Sequence, residues 1–516
     1  MNPRLRRILI LLLLAAAVGW SLSQHRGGRG DSSLAVSAVA PDVMHMGSLT
    51  LEPCDIGRRG NGAPTMRAYC SAFDVPENHA APDGRHIRLH VALVRAESAQ
   101  AEPDLVTFLD GGPGGAATDD YPSIAGAFEP LRRQRAVLLV DQRGTGGSNA
   151  LDCGDDNTGD DNGGDAATNG TALASSADAV RACVTRLAPR AAPQFYSTSD
   201  AVEDLELVRR ALGSPRLDLI GVSYGTRMAQ QYAKRYPQGV RAIVLDSSVP
   251  NSLVLGSEHA RNLEDVLRSL FKRCTADRSC STRYGDPNQT LRRLLVKLRA
   301  HPQQLTLRDP FTFRVEQKTI GPGALVQLAR LYAYSPYTAA LLPYVLQEAD
   351  NGHYEPLLGQ AQVVVGDVSD SLTGGMGLSV ICAEDADRLK ANPADADTVM
   401  GNALTDWLLK TCPLWPHGSH PADFSEPLRT DVPVLLLAGE LDPVTPPRYA
   451  AQIARTLPRS RVLNVTGQGH GLVSVGCMPR ILDDFLRKLD VRALDASCLG
   501  QLGSTPFFID ANGSNP

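Results

Sequence analysis

The chain has 516 residues, with 51 Lys and Arg against 56 Asp and Glu for a formal net charge of -5; 43% of it is hydrophobic and only 5% aromatic. That composition supplies a globular core of ordinary size, and the length allows either one long α/β domain or more than one unit. With no basic run in the mature region and few rings to stack on bases, nucleic acid is excluded as a partner.

Arg4, Arg6 and Arg7 precede an uncharged run from Ile8 to Leu22. A basic start followed by a short apolar run is the pattern of an export signal, and the run is shorter than the roughly 20 residues of a comfortable membrane span. Residues 1–24 are therefore expected to be a signal peptide or, if uncleaved, an N-terminal anchor, and the protein periplasmic or secreted. No membrane contact beyond that anchor is expected. Residues 25–50 read as a flexible linker. The Arg-Gly-Asp at 29–31 matches an adhesion tripeptide, but three residues carry little information and the stretch is taken as linker. The ten cysteines, Cys54, Cys70, Cys153, Cys183, Cys274, Cys280, Cys382, Cys412, Cys477 and Cys498, fit disulfides in an exported chain. Neighbours pairing in chain order is the expectation, because short loops close at little entropic cost; fewer bridges and some buried thiols are the alternative. No C-x-x-C spacing occurs, which argues against a cysteine zinc site.

Short apolar runs follow at Ile87–Val94, Leu105–Leu109, Ala136–Val140, Leu217–Ile220, Ala242–Leu245, Val434–Leu437 and Val462–Val465. Such runs suit strands buried on both faces. Helical patterns between them, such as Ala201–Leu212 and Arg227–Tyr236, predict a mostly parallel sheet. The Asp-rich stretch 153–170 reads as a solvated loop rather than a calcium site. From 251 to 427 the pattern is helical and Leu-rich, which predicts a lid inserted into a core made of 51–250 and 428–505, with 506–516 as a tail.

The strongest motif is Gly221-Val222-Ser223-Tyr224-Gly225, which follows a predicted strand and opens a predicted helix. G-x-S-x-G in that context holds an exposed serine on a tight turn. Its backbone successor, the Tyr224 N–H, is the candidate oxyanion donor, with Gly112 in Asp110–Gly115 as the second. A serine hydroxyl needs a base. His470, in a Gly-rich loop after the predicted strand 462–465, is the candidate, with His417 and His420 as competitors. Asp442, just past the predicted strand 434–437, is the candidate acid, with Asp246 as its rival. The chain order Ser223, Asp442, His470 is that of the α/β-hydrolase fold: a mostly parallel sheet with, here, an inserted mainly helical lid.

The combination of Gly111–Gly115, Asp141–Ser148, Gly221–Thr226 and Gly439–Pro446 resembles the proline iminopeptidase and tripeptidyl aminopeptidase family of serine peptidases, over roughly residues 90–250 and 425–500. The long exported chain, the cysteines and the segment from Cys477 to Cys498 are more similar to the secreted tripeptidyl aminopeptidases. In one respect the chain departs from the pattern: iminopeptidases usually have a histidine before the double glycine, and Asp110 stands there. The resemblance implies an exopeptidase for peptides with a free N-terminus, which needs carboxylates for the substrate ammonium; Glu384, Asp385 and Glu440 are the candidates, and Thr445 and Tyr224 candidates for the pocket wall. No metal or organic cofactor is required by this chemistry. A carboxylesterase or lipase-like hydrolase with the same triad is the second reading, since fold does not fix substrate, and a non-catalytic binding protein on the same scaffold the third.

Overall fold

In the computed structural model the described residues are 43–58, 63–153, 176–308 and 313–514, without the side chains of 364–371. The expected signal or anchor, the linker up to residue 42, the Arg-Gly-Asp and most of the Asp-rich stretch lie outside them.

The first eight strands are β1 (Met44–Met46), β2 (Leu49–Ile56), β3 (Met66–Pro76), β4 (His86–Val94), β5 (Leu105–Leu109), β6 (Val137–Val140), β7 (Leu217–Val222) and β8 (Val240–Asp246). A separate hairpin, β9 (Gln303–Arg308) and β10 (Val315–Ile320), precedes β11 (Val434–Gly439) and β12 (Ser460–Val465). Ten strands form one sheet in the order β1-β2-β3-β4-β6-β5-β7-β8-β11-β12. From β6 to β12 every pairing is parallel, and β1 to β4 run antiparallel. The parallel strands are the apolar runs of the sequence because both their faces are covered. In β11, Val434 and Leu436 face one core and Leu435 and Leu437 the other, as the two-residue alternation of a strand demands. Helices Thr198–Ala211 and Tyr224–Arg235 cover the first face; Ala117–Arg132 and Met478–Lys488 cover the second.

One boundary needs correction. The linker does not reach residue 50, because β1 and the start of β2 lie inside that span and Leu49 and Leu51 are buried. The alternation in β2 is broken at Pro53 and Cys54, which hid it. The insertion is mainly helical, with helices from His259–Ala276 to Ala403–Thr411. It also contains the β9–β10 hairpin, and its first part builds most of a second core, around Leu267, Phe271, Leu294, Leu328 and Leu346, which Val399 and Met400 complete. Its second part, with helix Gly374–Glu384, sends Met376, Leu378 and Val380 into the main core. The tail is strapped to the insertion: Phe507 is buried in the insertion's core, and the Tyr284 hydroxyl donates to the Phe508 carbonyl at 2.8 Å.

Five disulfides join neighbours in chain order, Cys54–Cys70, Cys153–Cys183, Cys274–Cys280, Cys382–Cys412 and Cys477–Cys498. Five bridges suit an exported protein. Among the described residues no helix is long and apolar enough to cross a membrane. The Cys382–Cys412 bridge spans 30 residues and ties the second part of the insertion together. On the chain-entropy model, Cys382→Ser with Cys412→Ser is expected to cost about 3–4 kcal/mol, read as a lowered midpoint in urea unfolding; an unchanged midpoint would mean the main core alone holds that segment.

Candidate active site

Ser223 sits between β7 and helix Tyr224–Arg235 with φ 55° and ψ −122°. A non-glycine residue tolerates that conformation only where its surroundings enforce it. The enforcement is visible in its neighbours. A Cβ on Gly221 would lie 2.4 Å from the Gly225 carbonyl oxygen, and one on Gly225 would lie 2.1 Å from the Leu109 carbonyl oxygen. The serine N–H donates to the Asp246 carbonyl at 2.9 Å, which pins the turn to the end of β8. The turn also starts a helix, so the Tyr224 N–H stands at its positive end.

His470 lies in the loop after β12. Its Nδ1–H donates to Asp442 Oδ2 at 2.8 Å. Asp442 is fully buried and also accepts from the Val444 N–H at 2.9 Å, the Thr445 N–H at 2.8 Å and the Thr445 hydroxyl at 2.7 Å. Burial alone would raise its carboxyl; the charge of His470 and these hydrogen bonds override it and hold Asp442 at about 2. For His470 the balance also favours the charged form: burial pulls the imidazole down, but Asp442 lifts it above the usual 6.5.

Asp246 has a different employment. Its Oδ2 accepts from the Leu472 and Val473 N–H groups at 2.6 and 2.8 Å, so it holds the loop beyond His470 from behind, and burial pushes it up to about 6. His417 and His420 line a separate depression beside Cys382 and Cys412.

Ser223 and His470 line one cavity of about 500 Å³ together with Asp110, Gly111, Gly112 and Asp120. Among the described residues the Ser223 hydroxyl makes no hydrogen bond; contacts of this kind commonly tighten only when substrate arrives. Gly112 lines the cavity in the loop that the insertion braces, where the Thr373 N–H donates to the Gly114 carbonyl at 2.9 Å. Asp141, from the second quoted motif, anchors the neighbouring helix start by accepting from the Thr118 N–H and hydroxyl, both at 2.9 Å.

The three acids expected at the substrate ammonium are elsewhere. Glu384 and Asp385 are fully buried against Arg227: Asp385 Oδ2 lies 2.8 Å and Glu384 Oε2 3.5 Å from Nη1. Glu384 also accepts from the Thr198 N–H at 2.7 Å, and Asp385 pairs with Arg388 at 2.6 Å. These carboxylates neutralise a buried guanidinium, which could not stay there unpaired, and they lock helix Gly374–Glu384 onto helix Tyr224–Arg235. Glu440 is exposed and accepts from the Gly467 N–H at 2.8 Å, outside the cavity. Neither suggested wall residue lines the cavity: Thr445 binds Asp442, and the Tyr224 hydroxyl turns to Thr198 and Gln142 at 2.6 and 3.0 Å.

The carboxylates that do line it are Asp110 and Asp120. Asp110 accepts from the Gly111 N–H through Oδ1 at 2.7 Å, while its buried Oδ2 takes no hydrogen bond. Burial, and then the charge of Asp120, raise Asp110 well above the usual carboxylate range. Asp120 is held by Arg58, whose Nε lies 3.1 Å away. The sequence signal for Asp110 was its place at the head of the Asp110–Gly115 motif; Asp120 had none. The remaining wall is largely apolar, with Leu331, Leu372, Ile381, Trp407 and Val444. A nucleophile, an imidazole bonded to a buried acid, and a glycine loop at one cavity are the parts of acyl transfer.

The family model described as the alpha/beta hydrolase fold matches residues 104–476. The serine protease Hip1 of Mycobacterium tuberculosis is 26% identical over 439 residues, covering 79% of this chain and 82% of that protein. A tripeptidyl aminopeptidase of Streptomyces coelicolor is 23% identical over 466 residues, covering 83% and 82%. A proline iminopeptidase of Neisseria gonorrhoeae is 28% identical over 149 residues, covering 29% of this chain and 34% of that protein.

Proposed function

The chain belongs to the α/β-hydrolase fold family, and on that premise we propose that this serine hydrolase is an aminopeptidase, releasing residues or short peptides from a free N-terminus through an acyl-enzyme on Ser223. The observation that carries the reading is the shared cavity, in which Ser223 and His470 face the carboxylates of Asp110 and Asp120. The relatives named as a serine protease and a tripeptidyl aminopeptidase support it.

In this mechanism Ser223 Oγ attacks the scissile carbonyl while His470 Nε2 takes its proton. Asp442 keeps the proton on Nδ1 and stabilises the imidazolium that forms. The oxyanion rests on the N–H groups of Tyr224 and Gly112. His470 then protonates the leaving amine, and a water activated by the same imidazole releases the acyl group. A substrate ammonium beside Asp110 would draw its carboxyl toward the charged form, since an opposite charge at close range favours ionisation.

The test is one short peptide anilide with its N-terminus free or acetylated, beside a simple ester. Acetylation is expected to lower kcat/KM on the order of 10²-fold, the scale of losing one partner of a desolvated charge pair. Asp110→Asn is expected to erase most of that difference while the ester is still cut. If both anilides are ignored and the ester is cut, the substrate is an ester and the carboxylesterase reading replaces this one.

A further inference from the structure

The insertion contributes a positive wall to the same cavity. Arg330, on helix Pro322–Tyr332, lines it, and so does His259, the first residue of helix His259–Ala276. Among the described residues Arg330 forms no ion pair, and its positive charge acts on the neighbouring Tyr334. The Nδ1 of His259 is buried without a partner. A helix beginning at His259 adds its positive end to that wall. By contrast, the buried guanidiniums of Arg143 and Arg227 each meet carboxylates. An arginine that faces a partly apolar cavity without a counterion is a receptor for an anion that arrives with the ligand.

Its position says which part of the substrate carries that anion. The Tyr334 ring stands edge-on to His470 with centroids 5.1 Å apart, and the Tyr334 carbonyl accepts the His470 N–H at 2.8 Å. The imidazole that takes the serine proton must return it to the leaving group, so the groups gathered around His470 border the leaving-group side. Asp110, in the loop that carries Gly112, and Asp120, in the first turn of helix Ala117–Arg132, come from elements other than those that hold His470 and Arg330.

We infer that Arg330, with His259 beside it, forms a carboxylate-binding subsite for the leaving group, so that the preferred substrates are those whose departing fragment carries a carboxylate close to the scissile bond. His259 acts there as a neutral hydrogen-bonding ring: burial, then the positive charges of Arg330 and His470, bring it down to about 3. The carboxylate comes either from the free C-terminus of a one-residue leaving group or from an acidic side chain. The inference rests on Ser223 and His470 as the reaction centre, and holds for peptide or ester.

The experiment uses the full chain and one acyl part with three leaving groups: alanine with a free carboxylate, alaninamide, and glutamic acid α-amide. Wild type is expected to prefer one or both carboxylate substrates over alaninamide by about 10-fold or more in kcat/KM, the effect of a charge-assisted contact. The first arm alone marks the C-terminus, the second the side chain. In Arg330→Gln the ratio is expected to fall to about one, with Arg330→Lys between. A ratio near one in wild type for both arms overturns the subsite, and so does a preference that survives Arg330→Gln. Should no peptide be cut, a carboxyphenyl ester against the phenyl ester asks the same question: a preference there keeps the subsite and removes only the aminopeptidase reading, while equal rates remove the subsite too.

Discussion

Ser223→Ala is expected to lower kcat on the order of 10⁶-fold, the scale on which a serine-hydrolase triad fails when its nucleophile is removed. The fold should survive. The hydroxyl makes no hydrogen bond among the described residues, so its loss leaves no buried partner unsatisfied. The unusual backbone at residue 223 is enforced by the approach of Gly221 and Gly225 to their neighbours, not by the serine side chain. KM should change little, because the cavity walls and both candidate ammonium acceptors stay in place. The melting temperature should stay near that of wild type, and a serine-reactive phosphonate should label wild type but not the variant. A variant that folds and turns over at the normal rate would move the nucleophile elsewhere and take the acyl-enzyme with it.

The sequence made the sheet centre and the loops at its end legible for one physical reason. Strands β5, β7, β8 and β11 are buried on both faces, so they read as short, dominantly apolar runs, interrupted only by Thr107, Asp218 and Arg241, with Gly or Asp at or near their ends. Tight turns need glycine, which is why the Ser223 and His470 loops stood out. Contacts that arise only from packing were not legible. Arg227 lies 157 residues from Glu384, and without it two buried acids look like free ligands hanging from a lid. Arg330 and His259 sit on amphipathic helices whose pattern announces a core, not a cavity wall. The rivalry between Asp246 and Asp442 was of the same kind. Both follow a strand, and only the register resolves them. Leu437 of β11 pairs with Asp246 at the end of β8, so Asp442 lies five residues further along its own chain, beyond the sheet edge where His470 waits.

That register gives the second large effect. Asp442→Asn is expected to cost about 10⁴ in kcat, because an amide in place of the carboxylate stabilises the wrong imidazole tautomer and no longer balances the imidazolium. Asp246→Asn is expected to cost far less. Its carboxylate touches the Leu472 and Val473 amides rather than the ring, and a charge acting on His470 only through space is worth about 1–2 kcal/mol at an effective dielectric of about 20, roughly tenfold. The pH profile separates the two further. The base works when neutral, so kcat/KM rises as pH climbs through the pKa of His470. Burial lowers that pKa, and the charge and hydrogen bond of Asp442 raise it by more, which puts the limb above 6.5 in the wild type. With Asp442→Asn, burial is left with much less opposition and the limb must move to lower pH while the plateau drops. With Asp246→Asn the limb should move the same way by a smaller amount and the plateau should fall by no more than roughly tenfold. A large plateau loss in Asp246→Asn with Asp442→Asn close to wild type would exchange the two acids.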